Sequence, residues 1–371
     1  MQVFGFKRCH LLLLSILVGL AACGPAKQPA AEKTSYLTEV PAIFPLVGGV
    51  AGPDDIGRFL AGRPVHAGAG LSRLQQTAEY QIHQREMAAL WRIAGTRMNE
   101  MRAWSARELT PVIGGGATVL YPFGGPDLLY VSAMFPQARD YALIGLEPVG
   151  EVAALEALPP GEVLAALSAF REITRTQLAA GYFVTKDMRA FPGSNILRGV
   201  TPILLSTVAL SGGRVDAVSS LSASGLAGVE VRFHDAAGVR HRAWYVAGDL
   251  SNSGFGGGCR KWLAGLGGNV SYFKAASYLM HDAHFSQARD FFLQQSRVIL
   301  QDDSGIPLRY FSPAWEQHFF GKYEHPIELF AKFQQNDLRQ AYAAQPSAAL
   351  EFGTGYQVNQ WQGNLLLAVK H

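Results

Sequence analysis

The sequence predicts an α/β protein: a mixed, partly parallel sheet flanked by helices, with added antiparallel hairpins and a helical N-terminal segment. Three observations carry this. A short β-type run, a helical stretch and a continuous apolar strand succeed one another between residues 118 and 146, the size of one βαβ unit of about 30 residues. Helical and strand-like stretches then keep alternating to about residue 222. Finally, 49% of the 371 residues are hydrophobic, enough for a sizeable core, while 40 Gly and 19 Pro argue for many tight turns and against a helical bundle.

The first residues stand apart from this pattern. Lys7 and Arg8 precede a 12-residue apolar run, Leu11 to Ala22, which ends at Cys23. A bilayer core needs roughly 20 apolar residues, so the run reads as a cleaved export signal and not as a membrane span. Leu20-Ala21-Ala22-Cys23 resembles the lipobox of bacterial lipoproteins, which implies lipidation of Cys23 and anchoring to membrane lipid through it. Gly24, where members retained in the inner membrane usually carry Asp, implies the outer membrane. The expected organisation is a signal peptide over residues 1–22, a lipidated Cys and flexible tether over 23–40, a helical segment over 41–111 and a single α/β domain over 112–371.

Without the signal, 30 basic residues face 29 acidic ones, and no Lys/Arg-rich block occurs, so no nucleic-acid partner is expected. Of the three Cys, only Cys259 would remain a free thiol. Its neighbours Arg260 and Lys261 make a basic setting, but a small packing residue at a helix start is the preferred reading.

From Leu71 to Leu109, apolar residues recur at helical spacing, giving one long helix or two with Gly95 as the weak point. Thr118–Tyr121 comes next as a strand, Pro126–Met134 as a helix opened by Gly-Pro-Asp, and Tyr141–Leu146 as a second strand. Pro160–Ala180 is a helix, Tyr182–Thr185 a third strand, Ile196–Leu210 an apolar helix and Arg214–Leu221 a fourth strand. Val229–His234 and His241–Val246 form a hairpin. Helices are expected at Arg260–Leu266, Tyr272–His281 and Phe285–Gln295, a second hairpin over Arg297–Phe311, a helix from Ile327 to Ala344 and a final strand at Leu365–Val369.

Ligands of an open parallel sheet bind beyond the carboxyl ends of its strands. The residues just after the first three strands deliver Asp127, Glu147 and Asp187 as candidate catalytic carboxylates, with Lys186 and Arg189 beside them. Crowded carboxylates push their pKa values apart, which divides acid and base roles. The bland alternatives are a helix-start role for Asp127 and a surface pair for Asp187 and Arg189. Tyr121, Tyr310 and Trp315 are candidate stacking surfaces, and Gly124 and Gly125 offer backbone N–H groups to an anion, although Pro126 lacks one and Asp127 competes. Asp302 and Asp303 form a carboxylate pair, with a hairpin turn supplied by Gly305 as the preferred reading. His281 and His284 are three apart, a fragment of a metal site without an identifiable third ligand. No Gly-x-Gly-x-x-Gly follows a strand and no phosphate-binding Gly-Lys-Ser/Thr occurs, so no cofactor is expected.

The runs Leu120-Tyr-Pro-Phe-Gly-Gly-Pro-Asp127, Gly145-Leu-Glu-Pro-Val-Gly150, Lys274-Ala-Ala-Ser-Tyr-Leu-Met-His281 and Leu300-Gln-Asp-Asp-Ser-Gly-Ile-Pro307 resemble an uncharacterised family of bacterial envelope lipoproteins. The resemblance implies localisation and single-unit organisation, but brings no reaction. Two functions are expected on the residues alone. One is a hydrolase on a polar envelope or extracellular substrate such as a glycan, using Glu147 with Asp127 or Asp187. The other is a non-catalytic ligand-binding or assembly lipoprotein in which those carboxylates are structural.

Overall fold

In β2 (Thr118–Tyr121), Val119 and Tyr121 join one buried apolar cluster and Leu120 another, because successive side chains of a strand leave the sheet on opposite faces. The split repeats in β3 (Asp140–Gly145), with Tyr141 and Leu143 on the first side and Ala142 and Ile144 on the second. Strands covered on both faces have no place for a polar alternate, which is why these runs read as continuously apolar. The structure, a computed structural model, describes residues 38–42, 51–66, 70–151, 154–180, 196–345, 347–356 and 363–371. All of them lie in one compact unit, Tyr36–His371.

The other strands are β1 (Thr38–Ala42), β4 (Arg214–Ala223), β5 (Leu226–His234), β6 (Arg240–Ala247), β7 (Val270–Phe273), β8 (Val298–Gln301), β9 (Trp315–Gly321) and β10 (Asn364–Lys370). They form a ten-stranded sheet in the order β1-β4-β5-β6-β3-β2-β7-β8-β10-β9. Its middle, β6-β3-β2-β7-β8, is parallel. Beyond β6 the sheet continues as an antiparallel meander through β5 and β4 to β1, and beyond β8 the last strand, β10, lies antiparallel between β8 and β9.

Helices cover both faces, the arrangement of a doubly wound sheet. On the first face α1 (Pro53–Leu60), α2 (Ala78–Glu108), α3 (Leu128–Met134), α4 (Pro160–Ala180) and α5 (Thr201–Leu210) contribute Phe59, Met87, Leu129, Phe170 and Leu204. On the second, α6 (Gly258–Gly265), α7 (Ser286–Gln295) and α8 (Asn336–Ala344) contribute Trp262, Phe292 and Leu338. No described helix is long and apolar enough to cross a membrane.

The predicted α/β class holds, but several elements differ. The long N-terminal helix runs unbroken through Gly95 over 31 residues, since packing of Ala94, Met98 and Met101 outweighs one glycine's cost of about 1 kcal/mol. Arg214–Leu221 joins the sheet antiparallel, as part of β4. The expected helix Tyr272–His281 is instead the end of β7 followed by a 3₁₀ helix, Ala275–His281. Four strand residues running into an apolar turn have no period that separates them from a helix. The expected hairpin over Arg297–Phe311 does not form: β8 pairs with β7 and β10, and β10 separates it from β9. Cys23, the expected strand Tyr182–Thr185, and Lys186, Asp187 and Arg189 lie outside the described residues.

Candidate functional site

Strand order reverses between β2 and β7. From β2 the chain continues to β3 and then β6 on one side, while β7 and β8 occupy the other. At such a switch point adjacent loops leave the carboxyl edge in opposite directions and open a crevice, the place where open α/β sheets bind ligands.

The loop after β2 closes over the end of β3. Phe123 and Gly125 both have positive φ, 63° and 56°. A Cβ on Gly125 would lie 3.1 Å from Glu147 Oε2, and one on Gly145 would collide with that carboxylate and come within 2.8 Å of the Gly125 Cα. Glycine at both positions therefore lets two backbones meet beside Glu147, which is 4% exposed. Tyr245, near the end of β6, directs its hydroxyl at Glu147, 2.8 Å from the backbone carbonyl and 3.1 Å from Oε2. The Gly125 N–H is already taken by the Ile144 carbonyl at 3.3 Å, which corrects the expectation that it serves an anion. Gly124 packs against the Tyr121 ring, 2.6 Å from Cζ to an added Cβ, so it too admits no side chain.

Asp127 stands at the N-cap of α3, one position earlier than the first-turn role expected of it. Its Oδ1 accepts from the Tyr130 N–H and from Gln177 Nε2, each at 3.4 Å. Its Oδ2 accepts from the Tyr121 hydroxyl at 2.8 Å and from Lys274 Nζ at 2.7 Å. Lys274 comes directly after β7, so this ion pair spans the switch point. The ammonium also lies 3.9 Å from the Tyr130 ring centroid, and Arg97 donates to the Tyr130 hydroxyl at 2.9 Å. Burial pushes the Asp127 carboxyl up, against the pull of Lys274 and of its hydrogen bonds.

Asp302 and Asp303 are buried at the end of β8 and are not a hairpin turn. Asp302 accepts from the backbone N–H groups of Ser304 at 3.0 Å and Ala275 at 3.3 Å, and from the Ser304 hydroxyl. Ala275 itself has φ 59°, a left-handed conformation that this bond helps hold. Asp303 accepts from the Tyr278 hydroxyl and from Asn364 Nδ2 at 2.9 Å. Gly305, expected to supply positive φ, is needed for space instead, because a Cβ there would run into Gln301. Burial and the neighbouring Asp303 carboxylate push Asp302 up to about 7, and burial also raises Asp303.

Four strand ends thus contribute one contiguous polar series, Glu147, the Gly125 loop, Asp127, Lys274, Ala275 and Asp302. Of the residues predicted from sequence, Tyr121, Gly124, Gly125, Asp127, Glu147, Asp302 and Asp303 lie in or against it. Tyr310 and Trp315 do not: Tyr310 is 38% exposed beside Arg289 and Arg309, and Trp315 is buried against Phe311. His281 packs between Tyr278 and Phe333, while His284 is exposed and bonded to Asp282. No metal-holding group of three His, Cys, Asp or Glu occurs among the described residues. Cys259 is buried, and burial, with Asp249 nearby, pushes its thiol up to about 11 in spite of Arg260 and Lys261. Sequence reasoning missed Lys274 and Tyr245. An expected helix over Tyr272–His281 hides Lys274, whereas Tyr245 lies inside the expected hairpin strand His241–Val246, where its place near the strand's carboxyl end is the available signal.

Two surface clefts of about 580 and 390 Å³ lie elsewhere, one beside His325 and Arg339, the other beside Gln75 and Tyr80. No protein-family model, curated protein or solved structure matches the chain.

Proposed function

We propose that this chain is an outer-membrane-tethered envelope lipoprotein whose doubly wound sheet binds a small, phosphate-free ligand carrying vicinal hydroxyls, a nucleoside ribose foremost, with Glu147 as the hydroxyl acceptor. The observation that carries the reading is the position of Glu147: it stands two residues beyond β3, the strand next to β2 at the switch point, and 22 residues after Gly125. In dinucleotide-binding sheets an acidic residue about 20 residues beyond the glycine turn accepts the ribose hydroxyls. The phosphate half of that pattern is missing here. The Asp127 carboxylate caps α3, and Lys274 is committed to it, so a negative phosphate would meet a negative group at that strand end. The tether rests on the order of basic start, apolar run and Cys23, and on the resemblance to envelope lipoproteins.

This favours ligand binding over the hydrolase in which Asp127 serves as acid or base, because Tyr121, Tyr130, Gln177 and Lys274 together hold Asp127 in place as a structural group. A second reading keeps a hydrolase through Asp302. A buried carboxyl pushed up by burial and by a neighbouring carboxylate is still partly protonated near neutral pH, the property that an acid/base pair needs.

Titration calorimetry with adenosine, S-adenosylmethionine, NAD and glucose tests the binding reading. Saturable binding of the first two, with weaker or absent binding of NAD, is the expected pattern. Absence of binding by both phosphate-free ribosides contradicts it. Release of soluble fragments from envelope glycans by the wild type but not by Asp302→Asn is the outcome that would favour the hydrolase.

A further inference from the structure

The larger of the two surface clefts, about 580 Å³, falls within the range of small-molecule sites, roughly 300–1,000 Å³. Glu324, His325, Glu328, Gln334 and Arg339 all line it, so two carboxylates and one guanidinium stand around one space. None of these three charged side chains is in an ion pair among the described residues. Arg339 therefore neutralises neither carboxylate, and the cleft offers both signs of charge with one negative group in excess.

Contacts on the buried side hold the walls in place. Tyr323, next to Glu324, accepts on its hydroxyl from the Gln335 N–H at 3.1 Å. The buried Gln335 side chain donates to the Asp303 carbonyl at 3.0 Å and accepts from the Leu308 N–H at 2.9 Å, which ties this segment to the end of β8. Between Tyr323 and Gln335 the 3₁₀ helix Glu328–Phe333 stacks Phe330 and Phe333 on Tyr278, with ring centroids 4.2 and 5.7 Å away. α8 starts directly after Gln335 and carries Arg339 in its first turn. Walls fixed before binding spare a ligand the cost of ordering them.

We propose that this cleft binds a small ligand carrying one carboxylate and two ammonium groups, a basic amino acid or a short peptide ending in one. Arg339 takes the carboxylate, Glu324 and Glu328 take the ammonium groups, and the Gln334 carboxamide both donates and accepts. This occupant matches every charge in the lining. A dicarboxylate would face two like charges, and a plain amine would leave Arg339 unmatched. The site is separate from Glu147 and does not rest on the reading given for it.

Calorimetry on the full chain at constant ionic strength compares lysine with norleucine, which lacks the side-chain ammonium, and with lysinamide, which lacks the carboxylate. Saturable binding of lysine about fivefold tighter than of either analogue is expected, the upper range for a solvent-accessible charge pair. Arg339→Gln should abolish the preference over lysinamide and keep that over norleucine. Glu324→Gln combined with Glu328→Gln should do the reverse. All three positions are exposed, and Arg339→Lys, which keeps the charge, should retain the preference over lysinamide. Alanyl-lysine is titrated in parallel: tighter binding than lysine assigns the ligand to peptides, and equal or weaker binding to free amino acids. No saturable binding of lysine or alanyl-lysine would overturn the proposal. So would equal binding of lysine, norleucine and lysinamide, or preferences that the substitutions leave unchanged.

Discussion

Lys274 Nζ lies 2.7 Å from Asp127 Oδ2, both side chains almost fully buried, and the pair fastens the loop leaving β7 to the loop leaving β2. Since these loops flank the switch point, the bond ties the two sides of the sheet's carboxyl edge together there. The same burial makes each partner dependent on the other.

Removing one member of a buried ion pair costs about 3–5 kcal/mol, whereas replacing both is often close to neutral. Lys274→Met should therefore lower the unfolding free energy in urea by about that amount. Adding Asp127→Asn, which keeps a capping side chain, should recover most of the loss. A double variant as unstable as the sum of the single changes would contradict the coupling.

Asp302 gives a pH signature of defined sign. Its folded pKa, about 7, lies above the ordinary 3.8, so the folded chain holds a proton that the unfolded chain has released. The associated stability is complete below about pH 4, declines as pH rises, and is gone above about pH 7. His83 and His281, both lowered to about 4 chiefly by burial, lose stability in the opposite direction, as pH falls from about 6.5. The Asp302 contribution is therefore read as a difference. Asp302→Asn should gain stability relative to wild type as pH rises from 4 to 8, measured by urea unfolding at each pH. A difference that is flat with pH would show that Asp302 carries an ordinary carboxyl.

Cys259 should resist alkylation in the folded protein. Its thiol is buried and raised to about 11, and a Cβ on Gly248 would collide with its sulfur. Iodoacetamide at pH 8 should label it only under denaturing conditions, and Gly248→Ala should be destabilised. Rapid labelling of the native protein, checked by mass spectrometry, would contradict the packing role.

Lipidation at Cys23 is tested by fractionation. Cys23→Ser should move the protein from the membrane to the soluble fraction, and a variant that still needs detergent for release would exclude the lipid anchor.

The parts legible in the sequence share a physical cause. The bounds of β2, β3 and α4 can be read there exactly or nearly so, because a short apolar run beside a long amphipathic one marks each clearly. Glu147 is legible as the first carboxylate beyond the apolar run of β3. β7 is not legible, since its four residues merge with the apolar turn after them, and Lys274, the partner that fixes Asp127, is lost with it. The Asp302-Asp303-Ser304-Gly305 stretch has the composition of a turn, and only the arrival of β10 from the far end of the chain makes it a buried strand end. Pairings set by tertiary order have no local signature.

The proposed role of Glu147 as acceptor of ligand hydroxyls is tested by a two-by-two comparison. Wild type and Glu147→Gln are each titrated with adenosine and with 2′,3′-dideoxyadenosine. Wild type should prefer adenosine by about tenfold or more, and Glu147→Gln should remove most of that preference while dideoxyadenosine binding changes little. Equal preference for adenosine in both proteins would contradict it.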